Sequence, residues 1–286
     1  MAVRRDLHEA NRASWNAATV AHNSHKADQA GFLRRGGCTL FPEEVELLGA
    51  VGGVDLLHLQ CNAGQDALSL AARGARVTGV DISDEAIAFA QQLSTDSGVP
   101  ARFVRADVYD WLPAQPSAAY DVVFASYGAL CWLSDLDVWA TEIGRLLRPG
   151  GRLVVMEFHP FAMVFDDKLV PVYDYFEGAV LTWDEGISDY VARSGDGLVP
   201  GGKVDGVRGF VNPHPSHEFQ WSLAAVLGSV RRAGLVVDRF DEYPYANGCC
   251  FFDGSIMDEQ RRFWPPPGRP RVPQMFGLRA QQPIEV

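Results

Sequence analysis

From residue 54 onward the apolar positions fall into two alternating periods. VDLLHLQ (54–60) is a short, nearly continuous apolar run, the pattern of a strand buried on both faces. In QDALSLAARG, which follows, apolar residues lie three and four apart, and this spacing predicts a helix ending at Gly74. RVTGVDI (76–82) predicts a second strand. SDEAIAFAQQLSTDSG predicts a second helix, with Ser83 as N-cap, acids in the first turn and Gly98 as the stop. ARFVRADV and YDVVFASY (120–127) predict strands three and four. DLDVWATEIGRLLRPGG reads as the next helix and RLVVMEFHP as strand five. Regular alternation of this kind predicts an α/β fold, a doubly wound and mainly parallel sheet with helices on both faces.

Both ends of the chain depart from that rhythm. Residues 5–22 read as a helix, HNSHKADQAGFLRRGG as a loop, and Phe41-Pro42-Glu43-Glu44 as the start of a short helix, since proline and acids suit a first turn. Residues 160–216 are rich in aromatics and glycine and hold no strong helical pattern, so they read as an insertion covering a site. WSLAAVLGSVRRAG returns to helix with Gly234 at its C-cap. LVVDRFDEYP and QMFGLRAQ are the last two of seven strands, separated by a proline-rich connection. Two strands joined without a helix predict an antiparallel hairpin at one sheet edge. The organisation is an N-terminal helical lid (1–50), a core (51–159), an insertion (160–217) and a return to the core (218–286).

Composition narrows the partners. The 286 residues are 47% hydrophobic, yet no apolar run approaches the ~20 residues that span a bilayer. The opening MAVRRDLHEANRASW has no apolar core of the secretory kind. Five cysteines in irregular spacing point to reduced thiols in the cytoplasm, with neither disulfide framework nor metal cluster. A formal net charge of -11, with basic pairs scattered along the chain, disfavours nucleic acid and leaves a small molecule as the expected substrate. A homodimer is compatible with this surface.

The candidate chemistry lies at successive strand ends. Gly64 stands where strand one turns into its helix, Asp81 ends strand two and Asp107 ends strand three. In a doubly wound sheet these places lie under a nucleotide, with the strand-two acid on the ribose and the strand-three acid near the adenine amino group. Here LLHLQCNAG (56–64) resembles the V-L-D-L-G-C-G-T-G motif of the class I S-adenosylmethionine-dependent methyltransferases, with His58 in place of the acid and Gln60 and Asn62 in place of two glycines. WN (15–16), HNSHK (22–26), SYGALCWL (126–133), LLRPGG (146–151) and EFHP (157–160) extend the likeness to a bacterial small-molecule subgroup over nearly the whole chain.

The resemblance implies S-adenosylmethionine as cofactor, held by Trp15, His25, Gln60, Asn62, Gly64, Asp81, Ile82, Asp107, Val108 and Ser126, with His22 and Lys26 folding over it. Tyr127 would face the sulfonium. Glu157 or His159 would serve as base. Trp132, Tyr175, His214 and His217 would meet the acceptor, an aromatic or apolar metabolite methylated on oxygen or nitrogen. No metal is required. A second reading is carbon methylation of an alkene, with Glu157 as base and Arg193, Lys203 and Arg208 on an anionic tail. A nicotinamide-dependent oxidoreductase would share the fold, but the chain lacks G-x-G-x-x-G and a Tyr-x-x-x-Lys pair. A non-catalytic nucleotide binder stays open.

Overall fold

In the computed structural model, which describes residues 2–176 and 180–284, the alternating pattern becomes a seven-stranded sheet. Its strands are β1 (Asp55–Leu59), β2 (Arg76–Asp81), β3 (Arg102–Arg105), β4 (Tyr120–Ser126), β5 (Leu147–Phe158), β6 (Val236–Tyr243) and β7 (Met275–Gln281). Their order across the sheet is β3-β2-β1-β4-β5-β7-β6. The first five pair in parallel, and β7 runs antiparallel to both β5 and β6. The final hairpin is therefore present, but its last strand lies inside the sheet and β6 forms the edge. Register explains the placement: Phe276, Leu278 and Ala280 are buried, whereas Val236 and Val237 remain exposed.

The helices are α1 (Arg5–Ser24), α2 (Gln29–Arg34), α3 (Pro42–Leu48), α4 (Gln65–Ala72), α5 (Asp84–Ser97), α6 (Val108–Trp111), α7 (Leu136–Leu146), α8 (Tyr190–Ser194) and α9 (Leu223–Arg232). Two apolar clusters, one on each side of the sheet, form the core. One joins Leu57, Val123 and Val155 to α6, α7 and α9, and the other joins Leu56, Phe124 and Met156 to α2–α5. Alternate residues of the same strands serve opposite faces, which is why the strands read as unbroken apolar runs.

Three segments differ from the sequence-based expectation. The stretch read as a loop after α1 contains α2, which Asp28 caps by accepting from the Gly31 N–H at 2.7 Å. Within the insertion, Val180–Trp183 pairs antiparallel with Ser216–Phe219, forming a stem that closes it. The proline-rich connection folds into a small three-stranded sheet of Ala246–Asn247, Ile256–Met257 and Arg262–Trp264. Helix α1 lies across the C-terminal ends of the strands, packed against α5 and the 216–219 strand.

Candidate active site

The turn after β1 carries three left-handed residues, Gln60 (φ 51°), Asn62 (φ 47°) and Gly64 (φ 78°). Side-chain bonds hold the two non-glycines. The Asn62 side chain accepts from the Ala63 N–H at 2.7 Å and its own N–H donates to Asp81 at 2.8 Å. Gln60 donates to the Ala129 carbonyl at 2.6 Å. Only Gly64 must be glycine, because a Cβ there would lie 2.6 Å from the Ala90 Cβ and 2.9 Å from the Phe103 ring. Gly64 thus shapes the turn by packing and is not on the cavity wall, a correction to its expected cofactor contact.

Above the strand ends lies a cavity of about 980 Å³, at the upper end of the usual range for ligand sites. Gln60, Asn62, Asp81, Ile82, Asp107, Val108, Ser126, Tyr127, Trp15, Trp132 and Tyr175 all reach its wall. Burial pushes the Asp81 carboxyl up to about 6, against the pull of the Ser83 and Asn62 N–H groups. Asp107 accepts from the Tyr109 N–H at 2.9 Å and pairs with His8 Nδ1 at 2.7 Å. His8 stacks on Tyr109, and its buried Nε2 has no partner among the described residues. Trp15 meets Trp132 edge to face, with ring centroids 5.4 Å apart.

At the opposite end Lys26 enters from the close of α1. Among the described residues its ammonium has no hydrogen-bonding partner. Burial lowers its pKa to about 8, opposed by the charge of Asp66, another wall residue. Arg261 is also on the wall, but its guanidinium is occupied by the carbonyls of Gly197 and Thr39 and by the Phe41 ring.

The expected bases do not fit. Glu157 Oε1 accepts from the Gly128 and Phe158 N–H groups, and Oε2 from Ala129 at 2.7 Å and Leu130 at 2.9 Å. All four acceptor positions of the carboxylate are filled by backbone, so it anchors the turn after β4 and has none left for a substrate proton. The alkene reading takes Glu157 as its base, and this carboxylate is committed to the backbone. The anionic-tail residues of that reading are also apart: Arg193 is shared between Asp167 and Asp253, Lys203 reaches the Ala192 carbonyl and Arg208 pairs with Asp205 on the surface. His159 turns away from the cavity. Its Nδ1 accepts from the Phe161 N–H at 3.0 Å, and its Nε2 lies 2.9 Å from Glu242 on β6, out of hydrogen-bonding alignment.

Three other histidines do not line the cavity. His25 is buried against Asp189 at 2.7 Å and fastens the lid to the insertion rather than meeting a cofactor. His214 is exposed. His217 faces Thr182 on the outer side of the stem, because strand alternation sends its neighbours Ser216 and Glu218 inward. Tyr127 is on the wall, but its hydroxyl accepts from Asn247 at 2.9 Å. The structure also adds residues the sequence reading did not select: His8, His58 and Glu218. His58 is on the wall near Ser126 and burial lowers its pKa to about 4, so it is neutral near pH 7.

A doubly wound sheet whose seventh strand is reversed and inserted between the fifth and sixth, with acids closing β2 and β3, defines the class I S-adenosylmethionine-dependent methyltransferase fold. It differs from the dinucleotide order, in which the sixth strand lies directly beside the fifth. The comparisons agree: residues 57–155 match the methyltransferase domain family. A demethylmenaquinone methyltransferase of Thermus thermophilus is 37% identical over 149 residues, 49% of this chain and 64% of that protein. A ubiquinone/menaquinone biosynthesis C-methyltransferase of Bordetella parapertussis is 30% identical over 193 residues, 64% of each chain. The chain thus covers less than two thirds of these relatives. The crystal structure of an S-adenosylmethionine-dependent methyltransferase from Mesorhizobium loti superposes with a TM-score of 0.51 at 21% identity, covering 84% of this chain and 96% of that one.

Proposed function

We propose that the protein transfers a methyl group from S-adenosylmethionine to a small aromatic acceptor, on oxygen or nitrogen. The observation that carries this reading is convergence: the ends of β1, β2, β3 and β4 present the turn 60–64, Asp81, Asp107 and Ser126 to one cavity, within a methyltransferase domain. The donor brings an already activated methyl group on a sulfonium. The protein therefore needs to bind, orient and exclude water rather than form a covalent intermediate.

The residues fit the donor's chemistry. Asp81 offers a buried carboxylate to the ribose hydroxyls. Asp107 and the unpartnered His8 Nε2 stand at the adenine end. Lys26 supplies a cation with no hydrogen-bonding partner among the described residues for the amino-acid carboxylate, and Asp66 an acidic group for its ammonium. Trp15, Trp132, Tyr175 and Trp183 make the acceptor side flat and apolar. The quinone-biosynthesis names of the relatives, an O-methyltransferase and a C-methyltransferase among them, support an aromatic acceptor.

The test is a methyl-labelled donor incubated with hydroxylated and aminated aromatics, followed by mass spectrometry. Acceptor-dependent appearance of labelled product with S-adenosylhomocysteine supports the proposal. Donor binding without label transfer to any member of the set would leave a non-catalytic binder.

A further inference from the structure

The Glu218 carboxylate is aimed into the acceptor side of the cavity from the insertion's stem. It is partly buried, and desolvation raises its pKa above the usual carboxylate range. No backbone N–H reaches it among the described residues. The one group that favours its charged form is the nearby Trp183 indole, whose buried nitrogen has no aligned hydrogen-bond partner among the described residues. This is the reverse of Glu157, whose oxygens are filled.

Its placement is built. The 216–219 strand packs against the turn at 130–132, directly after β4, so the carboxylate's charge is felt at Cys131. Asn11 on α1 clamps the strand, accepting from the His217 N–H at 2.7 Å and donating to the His217 carbonyl at 2.8 Å. With His217 gripped on both backbone groups, alternation fixes Ser216 and Glu218 inward.

We propose that Glu218 is the catalytic base and that the acceptor is an uncharged aromatic bearing an O–H or N–H. This rests on the methyltransferase reading above. A carboxylate among Trp132, Trp183 and Tyr175 accepts a hydrogen bond from such a group and disfavours carboxylates and phosphates. In the reaction Glu218 takes the proton as the acceptor's lone pair bonds to the methyl carbon. The carbon–sulfur bond breaks onto sulfur, and the proton then leaves Glu218 for solvent. For an amine acceptor the proton follows bond formation.

The experiment titrates the S-adenosylhomocysteine-loaded protein with 1-naphthol, 1-naphthylamine and 1-methoxynaphthalene by calorimetry. It then measures single-turnover methyl transfer to 1-naphthol from S-adenosylmethionine. The two donors should bind at least about tenfold more tightly than the ether, as for one lost hydrogen bond. Glu218→Ala should erase that preference while S-adenosylhomocysteine affinity stays unchanged. Glu218→Gln, which keeps shape and volume, should slow transfer about a hundredfold, and the deficit should narrow as rising pH ionises the naphthol. Equal binding of donors and ether, no binding of any of the three, no transfer to a bound naphthol, or full activity in Glu218→Gln would each overturn the assignment. Failure of the wild type to bind S-adenosylhomocysteine would instead remove the methyltransferase reading itself.

Discussion

Gly64 and Asn62 sit two residues apart in the same left-handed region and answer to different constraints. Asn62 is held by a bond to its own chain neighbour, and its backbone N–H serves Asp81. Gly64 is held by the absence of a side chain, with Ala90 and Phe103 closing on its Cα. Gly64→Ala therefore combines a positive φ with overpacking and should destabilise the fold by roughly 2–4 kcal/mol. Asn62→Gly exchanges a hydrogen bond for an easier backbone and should change stability by less than about 1 kcal/mol. Urea unfolding of the two variants measures both. The relation was legible in the sequence because asparagine tolerates this conformation better than most residues. For Gln60 the compensating bond to Ala129 lies 69 residues away, outside any local pattern.

Elements decide which of the chemically suitable residues reach the cavity. The strand ends were readable: apolar runs followed by Asp81 and Asp107 place both acids correctly, since a parallel sheet gives successive strands one common edge. Glu157 also reaches that edge, yet the turn after β4 consumes its carboxylate with four N–H groups, a feature that no spacing reveals. Glu157→Gln would set an amide NH2 against two of those donors. It should destabilise the protein by about 2–5 kcal/mol, as expected for buried donors left unpaired. A catalytic role would instead lower turnover with stability intact, so an unfolding curve beside a rate measurement separates the two. The stem teaches the same lesson. His217 and Glu218 are adjacent in sequence, and the choice between them comes from Asn11, 206 residues from its partner. One residue of register would reverse it.

At the scale of the molecule, lid, insertion and C-terminal connection all close over one sheet edge, and the acids beneath them lose water. Lid geometry was the least legible part of the sequence. His8 and His25 come from polar positions of α1 and its end, and their partners Asp107 and Asp189 are fixed only when the layers assemble. The shared burial has a consequence for pH. Asp81 is raised to about 6 by desolvation, so the folded protein takes up this proton before the unfolded chain does. Ionised Asp81 thus opposes folding above pH 6, and that opposition is lost as pH falls through about 6 toward the ordinary carboxylate value. Ligand binding has the opposite sign. Ribose hydroxyls donate to the ionised carboxylate, so protonation should weaken binding by up to about tenfold per pH unit below 6.

One calorimetric series, S-adenosylhomocysteine titrated into the protein between pH 7.5 and 5, with NADH as the comparison ligand, tests the central claim most directly. Micromolar binding at pH 7.5 that weakens as pH falls through about 6, with no heat from NADH, is the predicted result. Binding of NADH in place of S-adenosylhomocysteine, or affinity that does not change down to pH 5, would contradict a donor seated on Asp81.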